Sequence, residues 1–339
     1  MIASSTLATH RGLFVGLATL DLVYLAASPP QNNQKLVAAD YIVAAGGPAT
    51  NAAITFSYLG NQATLLGAVG THPIAQLLQT DLETYKVAIA DLAPAKTQPP
   101  PISSIVVTQG TGERAVISIN AVKSQAEVES IPTDILHSVD IVLIDGHQMA
   151  VGEAISKRAK ANNIPVVIDG GSWKPGFERV LSFVDYAICS ANFLPPNCNS
   201  TEDAIAYLSQ AGIPYIAITQ GEKPIQFLFE GKRNTLAVPQ IHPVDTLGAG
   251  DIFHGAFCHH ILQQNFTDAL AAAAEVAACA CQFFGTRQWM QKEGWRMKDE
   301  GWRMKAEKLN CILHTALFAP LDARRFATLP LLLSKLRER

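Results

Sequence analysis

From about residue 139 the chain alternates short apolar runs with helix-length amphipathic stretches. That alternation restricts it to a parallel sheet joined by crossover helices. Ile141 to Ile144, Ile164 to Ile168, Tyr186 to Cys189 and Tyr215 to Ile218 are continuous apolar strands, suited to burial on both faces. Each closes on a polar or glycine tip: Asp145-Gly146-His147, Asp169-Gly170-Gly171, Ser190-Ala191-Asn192 and Thr219-Gln220-Gly221. Open parallel sheets bind ligands just beyond such carboxyl ends, so these tips mark the expected site.

The first 120 residues read differently. Ile102 to Thr108 and Arg114 to Asn120 form a predicted hairpin through Gln109 to Glu113, approached by Pro99-Pro100-Pro101. With parts of 13–25 and 36–45 they are expected to build a small sheet standing off the main one.

Composition narrows the class. With 339 residues, 48% hydrophobic and 16% charged, the chain has material for an ample core in one large α/β domain or two smaller ones. A net charge of −3 offers no basic footprint, which argues against a nucleic-acid partner. Cys189, Cys198, Cys258, Cys279, Cys281 and Cys311 lack paired Cys-x-x-Cys spacing and read as reduced thiols of a cytoplasmic protein. The apolar run Gly12 to Ala27 is interrupted by Asp21 and preceded by a single Arg11, unlike a signal peptide. Ala269 to Phe284 contains Glu275 and is too short to span a membrane. Both are expected to be buried elements of a soluble chain with no membrane partner.

The strongest chemical signal is Asp245-Thr246-Leu247-Gly248-Ala249-Gly250-Asp251, followed by the apolar-periodic run Ile252 to Ile261. The first N–H groups of a helix lack intrahelical partners, and the helix dipole places partial positive charge there. A Gly-Ala-Gly turn entering a helix therefore suits an anion such as a transferring phosphoryl group. A carboxylate beside it can take a proton from an attacking hydroxyl. The string is neither a Walker loop nor a dinucleotide fingerprint.

It resembles the second signature of the ribokinase-like (PfkB) carbohydrate kinases. Gly46-Gly47-Pro48-Ala49-Thr50-Asn51-Ala52-Ala53 resembles the first signature, and Leu13 to Leu25, with Asp21, the opening strand. The resemblance covers residues 12 to about 288. It implies a three-layer α/β sandwich with a mostly parallel central sheet flanked by helices, plus a small β-sheet lid often used for dimer contacts. It also implies phosphoryl transfer from ATP with Mg2+ to a sugar hydroxyl, and it admits K+ as a further cation. The kinase domain is expected over 1–288, with 289–339 as an extension.

By this resemblance Asp251 is the catalytic base, and the dipole at the helix start is expected to keep it ionised. Gly248, Ala249 and Gly250 form the anion hole. Asp21, Gly46, Gly47, Asn51 and Arg114 are assigned to the sugar. Asn192, Thr219, Gly221, Thr246, Cys281 and Gly285 are assigned to the nucleotide, and Arg287 to an anionic substrate group. No resident metal ligands are expected. His242, His254, His259 and His260 cluster near the motif without zinc spacing and read as satisfied or surface histidines.

Two residues depart from the family pattern: Pro48 follows the Gly-Gly pair, and Pro195 stands where an Asn-x-x-Glu motif has Glu. The opening strand and the Val244 to Asp251 string look most like the ketohexokinase branch, so a ketose such as fructose is expected. The competing readings are a nucleoside kinase of the same family and a non-catalytic sugar- or nucleotide-binding protein. In the tail, Glu293 to Asp299 is repeated almost unchanged as Glu300 to Ala306, and no chemistry is assigned to it.

Overall fold

The computed structural model describes residues 9–291. The duplicated heptad and the remainder of 292–339 lie outside the described residues. In chain order the elements begin with β1 (Arg11–Val15), β2 (Thr19–Ala26), β3 (Asp40–Gly46), α1 (Pro48–Tyr58), β4 (Gln62–Gly67), α2 (Pro73–Thr84) and β5 (Val87–Asp91). There follow β6 (Ile102–Thr108), β7 (Arg114–Ser118), β8 (Ile141–Ile144), α3 (Met149–Ala161), β9 (Val166–Gly170), α4 (Phe177–Val180) and β10 (Tyr186–Ser190). The last are α5 (Thr201–Gln210), β11 (Tyr215–Gln220), β12 (Lys223–Phe229), β13 (Lys232–Leu236), α6 (Ala249–Ile261) and α7 (Phe266–Ala280).

Nine strands form one sheet in the order β13-β12-β11-β10-β9-β8-β1-β4-β5. Strands β5 through β11 of that order are parallel, and β12 and β13 add an antiparallel edge. Side chains alternate across a strand, so each central strand feeds two cores. Phe14, Ile141 and Leu143 pack with Phe56 of α1, Leu78 of α2, Phe257 of α6 and Leu270 of α7. Leu13, Val15, Val142 and Ile144 pack with Ile155 of α3, Phe177 of α4 and Leu208 of α5. The result is three layers. The chain leaves β1 in one direction to β4 and in the other to β8, and a crevice opens at such a switch point.

The second sheet has the order β3-β2-β6-β7. Residues 13–25 thus divide between two sheets, where the sequence suggested one lid strand. Leu13 and Val15 are buried in the main sheet, and the chain changes sheets at Gly16-Leu17-Ala18. Asp145 at the end of β8 holds that step by accepting from the Leu17 N–H at 2.9 Å. β7 stops at Ser118 because Asn120 takes φ +50, which a strand cannot continue through. The second main-sheet strand of the sequence reading begins at Val166, after Pro165, rather than at Ile164.

Gln288–Gln291 form a short 3-10 turn whose Trp289 is fully buried, edge-on to Tyr58 at 5.0 Å. No helix among the described residues is long and apolar enough to cross a membrane.

Candidate active site

The glycine string does form a helix start. Gly248 is the N-cap of α6 with φ +68, and no side chain caps the helix. That left-handed conformation favours glycine, and a Cβ there would sit 2.6 Å from Thr286 Cγ2. The Ala249 amide reaches Thr246 O at 3.4 Å, while those of Gly250 and Asp251 begin the helix without a side-chain cap. Above Gly250 the space is open, since a Cβ built there meets nothing within 4 Å.

Asp251, in the first turn of α6, is partly exposed and accepts a 2.8 Å hydrogen bond from Asn51 Nδ2. This bond joins the two separated motifs across 200 residues of sequence. Asn51 lies in the first turn of α1, which begins at Pro48 behind Gly47, itself at φ +101. Pro48 suits a first helical position, where its missing N–H costs no bond. Asp145 Oδ2 accepts from the Ala49 N–H at 3.2 Å, so one buried carboxylate ties the start of α1 to the β1–β2 step.

Asp21 is buried on β2, opposite Ala44 of β3 and Ser103 of β6. A Cβ on Gly46 would run into its carboxylate, so glycine is required for that approach. Asp21 and Asp251 lie close enough for the charge on Asp251 to burden Asp21. The structure thus brings Asp21, Gly46, Gly47, Asn51, Gly248, Ala249, Gly250 and Asp251 together where α1 and α6 begin beside the small sheet.

The other expected residues form two further groups. At the lid edge, Arg114 Nη1 donates to Thr246 O and Oγ1, each at 3.1 Å, and Thr246 Oγ1 donates to Gly112 O at 2.9 Å. Here the Cys281 carbonyl accepts from the Val244 and Asp245 amides, while the Gly285 N–H donates to Asp245 Oδ2 at 2.8 Å. Gly285 also packs against Ile42 of β3, on the lid side. Asn192 follows the carboxyl end of β10 and Gly221 that of neighbouring β11, while Thr219 lies near the end of β11, paired with Ser190.

Electrostatics correct one expectation. The helix dipole argues for a lowered Asp251 pKa, but burial and the neighbouring Asp169 push it up to about 6, still below neutral pH. The Asn51 hydrogen bond, His254 and Arg114 pull the other way and do not cancel them. Burial also raises Asp21 to about 7, against the Ser103 hydroxyl and Arg287. Asp145 goes the opposite way: although fully buried, it is held at about 2 by His147, the Leu17 N–H and Lys174. Burial pushes the Cys281 thiol up to about 11, which leaves it inert.

Arg287 does not face an anionic ligand. Its guanidinium is buried and hydrogen-bonded to Asn51 Oδ1 at 2.9 Å and Ala45 O at 2.7 Å. Asn51 is thus engaged at both ends of its amide, Oδ1 accepting from Arg287 and Nδ2 donating to Asp251.

Two residues stand closer to the site than the sequence reading placed them, Asp169 having been only a strand tip and His254 a satisfied or surface histidine. Asp169 at the end of β9 is buried beside Asp251, with an Oδ2 that lacks a hydrogen-bond partner. His254 of α6 has Nδ1 2.6 Å from Gly250 O and Nε2 2.9 Å from Ile188 O. Asp169 Oδ2 lies 3.4 Å from His254 Nδ1. Histidine at this point pins the first turn of α6 to β10. The acid tip of an apolar strand was the signal for Asp169. His254 is the satisfied, buried histidine the sequence suggested, but its partners were not legible there.

Among the described residues no three His, Cys, Asp or Glu side chains cluster as a metal cage. A groove of about 280 Å³ between α5 and β12–β13 is lined by Glu202, Gln226 and Arg233, and no motif residue borders it.

Comparison with known proteins agrees with this geometry. The chain is 22% identical over 287 residues to ribokinase of Bacillus subtilis (strain 168), covering 81% of this chain and 94% of that one. Its fold matches ribokinase of Thermotoga maritima with a TM-score of 0.70 at 18% identity, covering 84% and 98% of the two chains. It also matches Arabidopsis thaliana ribokinase complexed with ribose and ATP, with a TM-score of 0.67 at 20% identity over 82% and 94%. The fold is therefore ribokinase-like. Residues 10–293 match the model of the pfkB family of carbohydrate kinases, and the chain belongs to that family of sugar-phosphorylating phosphotransferases.

Proposed function

We propose that this chain transfers the γ-phosphoryl group of ATP to a primary sugar hydroxyl, with Asp251 as the base. The observation that carries this reading is the 2.8 Å bond from Asn51 to Asp251, beneath an uncapped helix start with open space above Gly250. Phosphoryl transfer needs in-line positioning and charge neutralisation more than covalent help. The amides of Gly248, Ala249 and Gly250 would stabilise charge on the moving phosphoryl oxygens. Asp251, raised to about 6, stays mostly ionised at neutral pH yet is a better proton acceptor than an ordinary aspartate.

Asp21 would accept hydrogen bonds from sugar hydroxyls, which favours its ionised form. Gly46 and Gly47 would let the backbone approach the sugar. Arg114 lies on the lid strand with its charge over the Thr246 loop, where it would complement phosphate. Asn192, Thr219, Gly221, Thr246, Cys281 and Gly285 would line the nucleotide side. Magnesium carried on ATP would neutralise phosphate charge. Asp169 stands beside Asp251 with an Oδ2 that accepts no hydrogen bond and lies 3.4 Å from His254 Nδ1, and it would suit an ion held mainly by phosphates and water. K+ enters only from the family resemblance.

The kinase domain in this reading comprises residues 1–288 together with the turn that buries Trp289. The motifs favour a ketose such as fructose, and the relatives named ribokinase supply the second reading, ribose. A sugar panel with ATP, read as ADP release, separates them. Asp251→Asn is expected to lower kcat by roughly 10²–10⁴-fold. Equal background release from both proteins would sink the kinase reading.

The outer face of the small sheet exposes Tyr24, Tyr41, Val43 and Ile117, and we infer that a second copy of the chain covers it.

A further inference from the structure

Arg287 has no task in the transfer described above, yet it ties four segments together. Nη1 donates to Asn51 Oδ1 of α1 at 2.9 Å and to Thr286 Oγ1 at 2.8 Å. Nη2 donates to Ala45 O of β3 at 2.7 Å and lies 3.5 Å from Asp81 Oδ2 of α2. The guanidinium stacks over the Tyr85 ring at 5.3 Å. Asp81 Oδ2 also accepts from the Ala45 N–H at 2.9 Å. The Arg287–Asp81 pair therefore holds both polar groups of Ala45, immediately before Gly46-Gly47.

The amide of Asn51 has only one workable orientation here. A guanidinium donates and never accepts, so Oδ1 must face Arg287. The NH2 group is then left for Asp251, whose ionised carboxylate only accepts. Turning the amide over would set two donors against each other and two acceptors against each other. Buried, unsatisfied polar groups of that kind are costly.

We propose that Arg287 is a positioning residue for the base: it locks the Asn51 amide so that its N–H is committed to Asp251. This rests on the reading of Asp251 as the base. The charges that bear on Asp251 directly are Asp169, His254 and Arg114, so the influence of Arg287 passes through Asn51. Lysine cannot replace it, because a single ammonium cannot reproduce the fork across Asn51 and Ala45.

The test compares the full chain with Arg287→Lys, Arg287→Met, Asn51→Leu and the Asn51→Leu/Arg287→Lys double variant. Two readouts are taken: the carboxyl titration of Asp251 by 13C NMR, and kcat and KM with the best sugar of the panel. In both Arg287 variants the Asp251 titration should move upward from about 6, and kcat should fall roughly tenfold, as for one charge-assisted hydrogen bond. In the Asn51→Leu background, Arg287→Lys should shift neither readout further. An unmoved titration, or an equal shift in both backgrounds, overturns the proposal. The Arg287→Lys variant keeps the charge beside Asp81 and decides the matter if the Arg287→Met variant fails to fold. The titration needs no turnover, so a parent inactive on every sugar defeats the kinase reading while the clamp is still judged.

Discussion

Asp21 and Asp251 are neighbouring acids, and burial raises the pKa of both, to about 7 and about 6. In the proposed reaction each must be ionised, one to accept sugar hydroxyls and the other to accept a proton. Falling pH protonates Asp21 first and Asp251 next. The profile of kcat/KM should therefore decline below pH 7 and steepen towards a slope of two below pH 6. Bound sugar donates to Asp21 and lowers its pKa, so kcat at saturation should show the Asp251 limb alone. Rates at subsaturating and saturating sugar check this, and a flat profile down to pH 5 would contradict it. Stability follows the opposite sign. A carboxyl whose folded pKa exceeds its unfolded value of 3.8 leaves the folded state progressively penalised from pH 4 to 6, fully so above. Asp251→Asn should raise the melting temperature at pH 7.5 and change it little at pH 4. The acids themselves were legible in the sequence, but the direction of their titration was not. The helix dipole argues for a lowered Asp251, whereas burial and Asp169 decide the sign, and Asp169 lies 82 positions away in the chain.

The relation of α1 to α6 sets the distance between the two motifs. Gly255, in the middle of α6, faces Ala52 O and Thr55 of α1, and a Cβ at that position would collide with the Ala52 carbonyl. The missing side chain lets the helices approach until Asn51 reaches Asp251. Gly255→Ala should push α6 outward, cost about 1–3 kcal/mol, and reduce kcat by stretching that bond. Thermal unfolding beside steady-state kinetics tests this; a normal kcat with reduced stability would mean the helix spacing is not what aligns the base. Alternating strands and helices could be read from the sequence because the periodicity of apolar residues reports directly on burial. The division of 13–25 between two sheets could not, since Leu13 to Val15 and Leu20 to Leu25 are both apolar. What separates them is Asp145, a distant carboxylate that captures the Leu17 amide.

Among the described residues, the central strands of the large sheet are buried on both faces, whereas one face of the second sheet is left uncovered. Tyr41 is 67% exposed and Ile117 79%, an unusual exposure for residues in a regular sheet. If a second copy covers this face, light scattering should find a dimer, and Tyr41→Asp with Ile117→Asp should yield a monomer. A monomeric parent would remove the dimer from the proposed function. The family and the layered α/β architecture were determined by the sequence alone, because two local strings and an apolar rhythm specify them without long-range contacts. Only the tertiary structure decided which groups meet. Arg287 reads as a cation near a substrate until Asn51, Ala45 and Asp81 surround it, and His254 reads as filler until Gly250 and Ile188 present their carbonyls to it. Hydrogen-bond partners and lost water are properties of packing, and no local string of residues contains them.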